Sequence, residues 1–179
     1  MSFTLNKMVK IAVLSALAIV LMLLLRFPLI PSAAYLEYDP ADIPVLIGGF
    51  MFGPIAGLII TVIVSFIQSV TVSMSSGWIG FVMHVIATGL MVIVTSLIYK
   101  KMHTYKGAII ALVAGSAART IIMIPLNLIF TPMFGVPIEV VRAGLVTVVI
   151  PFNLLKGLIN SIVTFFLYKP LSKIFKDKI

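Results

Sequence analysis

Six apolar runs, at about 7–26, 42–52, 54–74, 79–99, 107–130 and 147–169, set the tightest limit on what this chain can become. Clusters of Gly, Pro and charged residues separate them, which is the punctuation expected between helices. A helix of about 20 apolar residues crosses a hydrocarbon core of about 30 Å. Charged residues make up only 10% of the chain and hydrophobic ones 61%, against about 25% charged in a soluble domain. The expected class is therefore all-α: an integral membrane bundle of six helices, with residues 1–179 forming a single transmembrane domain and no separate soluble one.

The run at 42–52 is too short to span, since its helix would reach about 17 Å. It is either the first part of one broken span with 54–74 or a short helix of its own, joined to the next at Phe52-Gly53-Pro54. Lysine placement separates these readings. Lys7 and Lys10 precede the first run, Lys100, Lys101 and Lys106 lie between the fourth and fifth, and Lys169, Lys173, Lys176 and Lys178 follow the last. These groups all lie on the cytoplasmic side, as the positive-inside bias requires, only if the chain crosses an even number of times between them. That parity gives six helices, the second short and packed against protein, with both termini cytoplasmic. The acids agree: Glu37, Asp39 and Asp42 fall in the first external loop, and Glu139 in the external loop before the last helix.

The positive start, apolar stretch and Ser32-Ala33-Ala34 also have the outline of a secretory leader, but the segment is read here as the first helix. The end, from Lys169 to Ile179, is expected to fray, with its lysines meeting anionic lipid. The net charge of +8 thus reflects membrane topology, and no nucleic-acid partner is expected. No phosphate-binding Gly-x-x-x-x-Gly-Lys-Ser/Thr loop, His-Glu-x-x-His motif or cysteine occurs. His84 and His103 are placed too far apart in depth for a metal site. Neither enzymatic activity nor a cofactor is expected.

Lys156 is the exception within the apolar run from Val148 to Tyr168. A lysine at the centre of such a helix costs about 2.5–3.5 kcal/mol on insertion scales unless it has a partner or a wet cavity. Asn153, Gly157 and Asn160 fall on or near the same helical face. Asn127, just beyond Pro125 in the fifth helix, should lie at a similar depth. Together these side chains supply amide donors, amide acceptors and a cation around an outward-opening pocket, suited to a polar, uncharged or weakly anionic organic molecule. The partner of Lys156 is left open between water, a helix-end carbonyl and a loop carboxylate such as Asp39. That of Arg119, about midway along the fifth helix, is open between a carboxylate, helix-end carbonyls and another subunit.

Residues 26–42 hold Pro28, Pro31 and Pro40, two tyrosines and three carboxylates, more than a connector needs. They read as a lid, with Tyr35, Leu36 and Tyr38 offering apolar and aromatic surface. On the first helix, Ala12 and Ala16, with Ala18 nearby, form a small-residue stripe along which another helix can approach closely.

Tyr35-Leu36-Glu37-Tyr38-Asp39-Pro40-Ala41-Asp42-Ile43-Pro44, then Gly48-Gly49-Phe50-Met51-Phe52-Gly53-Pro54, and later Asn153-Leu154-Leu155-Lys156-Gly157, carry a resemblance over nearly the whole chain. It resembles the riboflavin-specific substrate-binding subunit, or S component, of energy-coupling factor vitamin transporters. The resemblance implies capture of the vitamin at the outer face of a prokaryotic cell membrane, under the loop 27–41, and release inside with a transmembrane coupling subunit and two cytoplasmic ATPases. It maps ligand contacts onto Asn127, Asn153 and Lys156, adds Leu36, Tyr38 and Asp39 from the loop, and makes Ala12 and Ala16 the docking stripe. FMN or another vitamin is the nearest alternative ligand. A membrane scaffold or assembly protein, its polar residues serving only as interhelical glue, is the alternative from another class.

Overall fold

The protein is described from a computed structural model covering residues 4–33 and 35–176, with the side chains of Ser32 and 173–176 left out. Ala34, Lys178 and the side chains of Lys173 and Lys176, which figured in the sequence reading, lie outside the described residues.

The chain is helical, with one minimal ladder among the described residues. Helix α1 spans Leu5–Leu24, α2 Asp42–Phe52, α3 Pro54–Val70, α4 Gly77–Lys101, α5 Tyr105–Phe130, α6 Ile138–Gly144 and α7 Ile150–Lys176. Residues 145–149 form a π-helical stretch between α6 and α7. Among the described residues, four helical stretches are long and apolar enough to cross a membrane: Leu5–Leu24, Gly77–Lys101, Tyr105–Phe134 and Ile138–Ser172.

Each boundary has a local cause. Thr4 caps α1 by accepting from the Lys7 backbone N–H at 3.4 Å, and the helix stops before Phe27-Pro28, where the proline disfavours helical geometry in the preceding residue. Along α1 the buried positions Ile11, Leu14, Ser15, Ala18 and Met22 recur at helical spacing, while Val9, Val13, Leu17 and Val20 face outward. Gly53, at φ 90°, makes the break between α2 and α3, a conformation open to glycine. Pro54 then sits at the first turn of α3, where its missing N–H costs nothing.

Helix α2 is apolar on every side after Asp42, and every residue from Asp42 to Phe50 is buried. It packs against α1, α3, α4 and α7, so this short helix is wrapped by the others. At its far end the Lys7 ammonium donates to the Phe52 carbonyl at 3.2 Å, which satisfies one of the acceptors a helix C-terminus leaves open. Glycine allows the tight packing around α2. A Cβ on Gly49 would lie 2.5 Å from the Ser96 Oγ of α4, and one on Gly57 would collide with Val92.

Two spans differ from the sequence reading. The run at 54–74 stays helical only to Val70, and 71–76 form turns, where the Thr71 and Ser76 hydroxyls donate to the Ile67 and Ser73 carbonyls. The last helical stretch begins at Ile138, so Glu139 lies in the first turn of α6, where its charge complements the helix dipole.

Contacts gather the ends of several helices. Phe50 of α2 stacks on Tyr99 of α4 at 4.4 Å. The Tyr99 hydroxyl meets that of Tyr168 in α7 at 3.1 Å, and the Lys169 ammonium lies 3.3 Å above the Tyr105 ring of α5. With the Lys7 contact, these place the start of α1, the end of α2, the α4–α5 turn and the end of α7 at one end of the bundle. The loop 25–41 closes the other end. In it Phe27–Pro28 and Glu37–Tyr38 pair as two-residue antiparallel strands, with Phe27 opposite Tyr38. Arg26 is ion-paired with Glu37, and the Phe27 and Tyr38 rings are 5.3 Å apart.

Candidate binding site

The N-terminus of α2 carries two buried carboxylates, and each takes a cation from a different helix. Asp39 accepts from the Ala41 N–H at 3.1 Å, holding the turn into α2, and its other oxygen accepts from the Lys156 ammonium of α7 at 2.7 Å. Asp42 accepts from the Arg119 guanidinium of α5 at 2.6 Å, from the Asn160 amide at 3.2 Å and from the Thr88 hydroxyl of α4 at 3.1 Å. Asp39, Asp42, Arg119 and Lys156 are all at most 3% exposed. Two anions and two cations balance, and the positive end of the α2 dipole favours the carboxylates.

The network reaches further. Arg119 also donates to the Thr88 hydroxyl at 2.9 Å and approaches the Asn153 carbonyl oxygen at 3.5 Å. The Tyr38 phenol donates to the Asn160 carbonyl oxygen at 2.8 Å. Burial, helped by the negative charges of Asp42 and Asp39, pushes the Tyr38 pKa up to about 12, so the phenol keeps its proton and its role as donor. His84 of α4 meets the Ser65 hydroxyl through Nδ1 at 2.8 Å, while its Nε2 stands 3.8 Å from Asp42. The loop, α2, α4, α5 and α7 are thus tied by one polar cluster.

The π-helical stretch ends at Val149, and the Asn153 amide donates to the Val149 carbonyl at 2.9 Å. Such a bulge breaks the regular register of a helix and is common at functional sites. Here it ends about one turn before Asn153 and two before Lys156.

Above the cluster lies a cavity of about 180 Å³, whose lining includes Arg26, Leu36, Gln68, His84, Arg119 and Lys156. A larger one, about 310 Å³, lies at the opposite end among Phe50, Tyr99, Tyr105, Tyr168 and Lys169. There the Tyr99 and Tyr168 hydroxyls are paired with each other and the Lys169 ammonium sits over the Tyr105 ring. The smaller cavity holds groups still open to a ligand: Arg26 Nη1, Gln68 Oε1 and His84 Nε2 are buried without a hydrogen-bond partner.

Of the residues singled out from sequence, Lys156 and Asp39 are in contact, Leu36 lines the same cavity as Lys156, and Tyr38 and Asn153 join the polar cluster. Asn127 stands apart. Its amide donates to the Met123 carbonyl at 2.8 Å and its carbonyl oxygen accepts from Thr131 at 3.0 Å, so both bonds stay within its own stretch of chain. Ala12 and Ala16 are exposed on α1, whereas Ala18 is buried. Asp42, read from sequence as an external-loop acid, is instead the fully buried first residue of α2 and the partner of Arg119. Gln68, His84 and Arg26 were not assigned to the site from sequence. A mid-helix arginine in an apolar run implies a buried carboxylate, but a lone glutamine near a helix end carries no comparable signal.

Residues 6–168 match the family described as the substrate-specific component of ECF transporters. The riboflavin transporter FmnP of Bacillus subtilis is 32% identical over 167 residues, covering 88% of this chain and 87% of the relative. The riboflavin transporter RibU of Streptococcus thermophilus is 33% identical over 182 residues, covering 94% and 84%. A solved structure of the S component of a bacterial ECF transporter superposes with a TM-score of 0.80 at 30% identity, covering 95% of this chain and 97% of that one. This chain belongs to the substrate-specific component family of ECF transporters, whose members are membrane transport subunits and not enzymes.

Proposed function

We propose that this protein binds riboflavin at the outer face of a bacterial cell membrane and delivers it inward as the S component of an ATP-driven transporter. The observation that carries this reading is the pairing of Lys156 with Asp39, which ties the loop to the helix bearing Asn153 and sets the loop over the polar cavity. The flavin ring edge presents amide-like donors and acceptors, which Asn127, Asn153 and Lys156 complement, while Leu36 and Tyr38 supply apolar and aromatic wall. Asp39 releases Lys156 to the ligand when the loop lifts.

Ligand pockets usually have volumes of about 300–1,000 Å³, so a cavity of about 180 Å³ must enlarge to take a tricyclic ring. Loop movement, with parting of the Lys156–Asp39 pair and turning of the Asn127 amide away from Met123, supplies that room. In this topology six helices cross or dip into the membrane, α2 as the short one, with both termini cytoplasmic. The end that collects Lys7, Tyr99, Tyr105 and Lys169 is then the inner one, as the positive-inside bias favours. The exposed Ala12 and Ala16 form the docking stripe for a transmembrane coupling subunit, which two cytoplasmic ATPases drive, and membrane lipid covers the remaining apolar surface.

FMN is the second reading of the ligand, since Lys156 or Arg26 at the cavity supplies charge for a phosphate. Protein purified from cells grown with riboflavin is expected to be yellow and to release riboflavin on denaturation. FMN in the released fraction would reassign the ligand, and colourless, folded protein that stays colourless after incubation with either flavin would contradict the proposal.

A further inference from the structure

A second, smaller recess opens off the site. Its volume is about 80 Å³ and its lining includes Ser65, Gln68, Ser69, Ser73, Ser76 and His84. Gln68, Ser73 and His84 also line the main cavity, so the two spaces share a wall at the outer ends of α3 and α4. Four serines, a glutamine and a histidine around so small a space form a neutral, hydroxyl-rich lining in a chain that is otherwise 61% hydrophobic.

The hydrogen bonding around the recess is incomplete in a particular way. Ser69 donates to the Phe66 carbonyl and Ser76 to the Ser73 carbonyl, each at 2.8 Å. Their hydroxyl hydrogens are thereby used, and their oxygen lone pairs are left to accept. Gln68 Oε1 is a buried acceptor without a donor, and His84 Nε2 is buried without a partner. When the Ser65 hydroxyl donates to His84 Nδ1, Nε2 carries the ring hydrogen and is a donor, as are the Gln68 amide nitrogen and the Ser73 hydroxyl of the same lining. Acceptors and donors side by side suit a group that both donates and accepts at successive atoms. Hydroxyls in a row do this. An anion meets no cation among Ser65, Gln68, Ser69, Ser73, Ser76 and His84, and an apolar group leaves Gln68 Oε1 and His84 Nε2 unpaired.

We propose that this serine-lined recess between α3 and α4 is a subsite for a neutral linear polyol, and that Gln68 and His84 select the ligand through its polyhydroxylated side chain. The assignment rests on the flavin reading above, in which Asn153 and Lys156 address the ring and the recess takes the ribityl chain. Affinity is then divided between two ends of the ligand, with different helices responsible for each.

Comparing riboflavin with lumiflavin, which has the same ring but a methyl group in place of the chain, isolates this claim. Equilibrium fluorescence quenching is to be measured with wild-type protein, Gln68→Leu and Ser73→Ala, each confirmed monodisperse in detergent. Wild-type protein is expected to bind riboflavin about tenfold or more tightly than lumiflavin. Gln68→Leu should weaken riboflavin by about tenfold and Ser73→Ala by a few fold, each by a clearly larger factor than it weakens lumiflavin. Retained lumiflavin binding also shows that the ring site is folded. Equal wild-type affinity for the two flavins overturns the subsite while leaving the flavin reading in place. So does a loss that is the same for both flavins, or no loss in either variant. Wild-type protein that quenches neither flavin contradicts the flavin reading itself and takes the subsite with it.

Discussion

Asp42→Leu should lower stability by about 3–5 kcal/mol, the cost of removing one partner from a buried ion pair. Arg119 is only 3% exposed, and the leucine leaves its guanidinium with the Thr88 hydroxyl and Asn153 carbonyl oxygen near it but no carboxylate to replace Asp42. It also strips Asn160 and Thr88 of their shared acceptor. The second substitution Arg119→Met should restore much of the loss, since a buried pair replaced by apolar side chains of similar volume is often neutral. Apparent melting temperature in detergent, followed by loss of monodisperse protein, measures both. A double variant as unstable as Asp42→Leu alone would show that the carboxylate stabilises the fold through Thr88 and Asn160 and not through Arg119.

Lys156→Met should weaken riboflavin binding by more than about tenfold, because a buried hydrogen-bonding group of the ligand is then left unpaired. The same change leaves Asp39 buried without its cation, so a drop in stability accompanies it. Asp39→Asn combined with Lys156→Met separates the two effects. The double variant should regain stability while still binding poorly, since the amide can keep its bond from the Ala41 N–H and, of these two residues, Lys156 is the one proposed to reach the ring. Recovery of affinity in the double variant would instead mean that Lys156 acts only by holding the loop. A double-mutant cycle on both quantities gives the coupling directly.

How far the site could be read in advance depended on how strongly each residue violated its surroundings. Lys156 stood out because an ammonium in an apolar helix is costly, and a loop carboxylate was among the few groups able to reach it. Arg119 gave the same signal, yet its partner stayed open. Asp42 lies 77 positions away and sits at a point where sequence alone allows either the end of a loop or the start of a helix. Only the folding of α2 into the middle of the bundle puts that carboxylate against the guanidinium. Gln68 and His84 were obscure for a different reason, since single polar residues in amphipathic or interhelical positions are common and carry little cost.

Local structure followed the same rule. The Gly53-Pro54 break was visible because each residue has one strong preference, and the helical class followed from runs too apolar for any other element. The hydroxyls of 71–76, by contrast, compete for backbone carbonyls and end α3 before the apolar pattern ends. Pro137, Glu139 and Arg142 do mark the start and polarity of α6, but they were outweighed by the acid's expected place in a loop. A two-residue ladder such as Phe27–Pro28 with Glu37–Tyr38 is too short to leave any periodic trace.

The central claim is that the polar cluster beneath the loop 25–41 receives riboflavin. Titrating purified wild-type protein into riboflavin and following the loss of flavin fluorescence tests it most directly. Saturable quenching at one flavin per chain, abolished or strongly weakened in Lys156→Met, is the result the account predicts. Folded, monodisperse protein that leaves riboflavin fluorescence unchanged would contradict it.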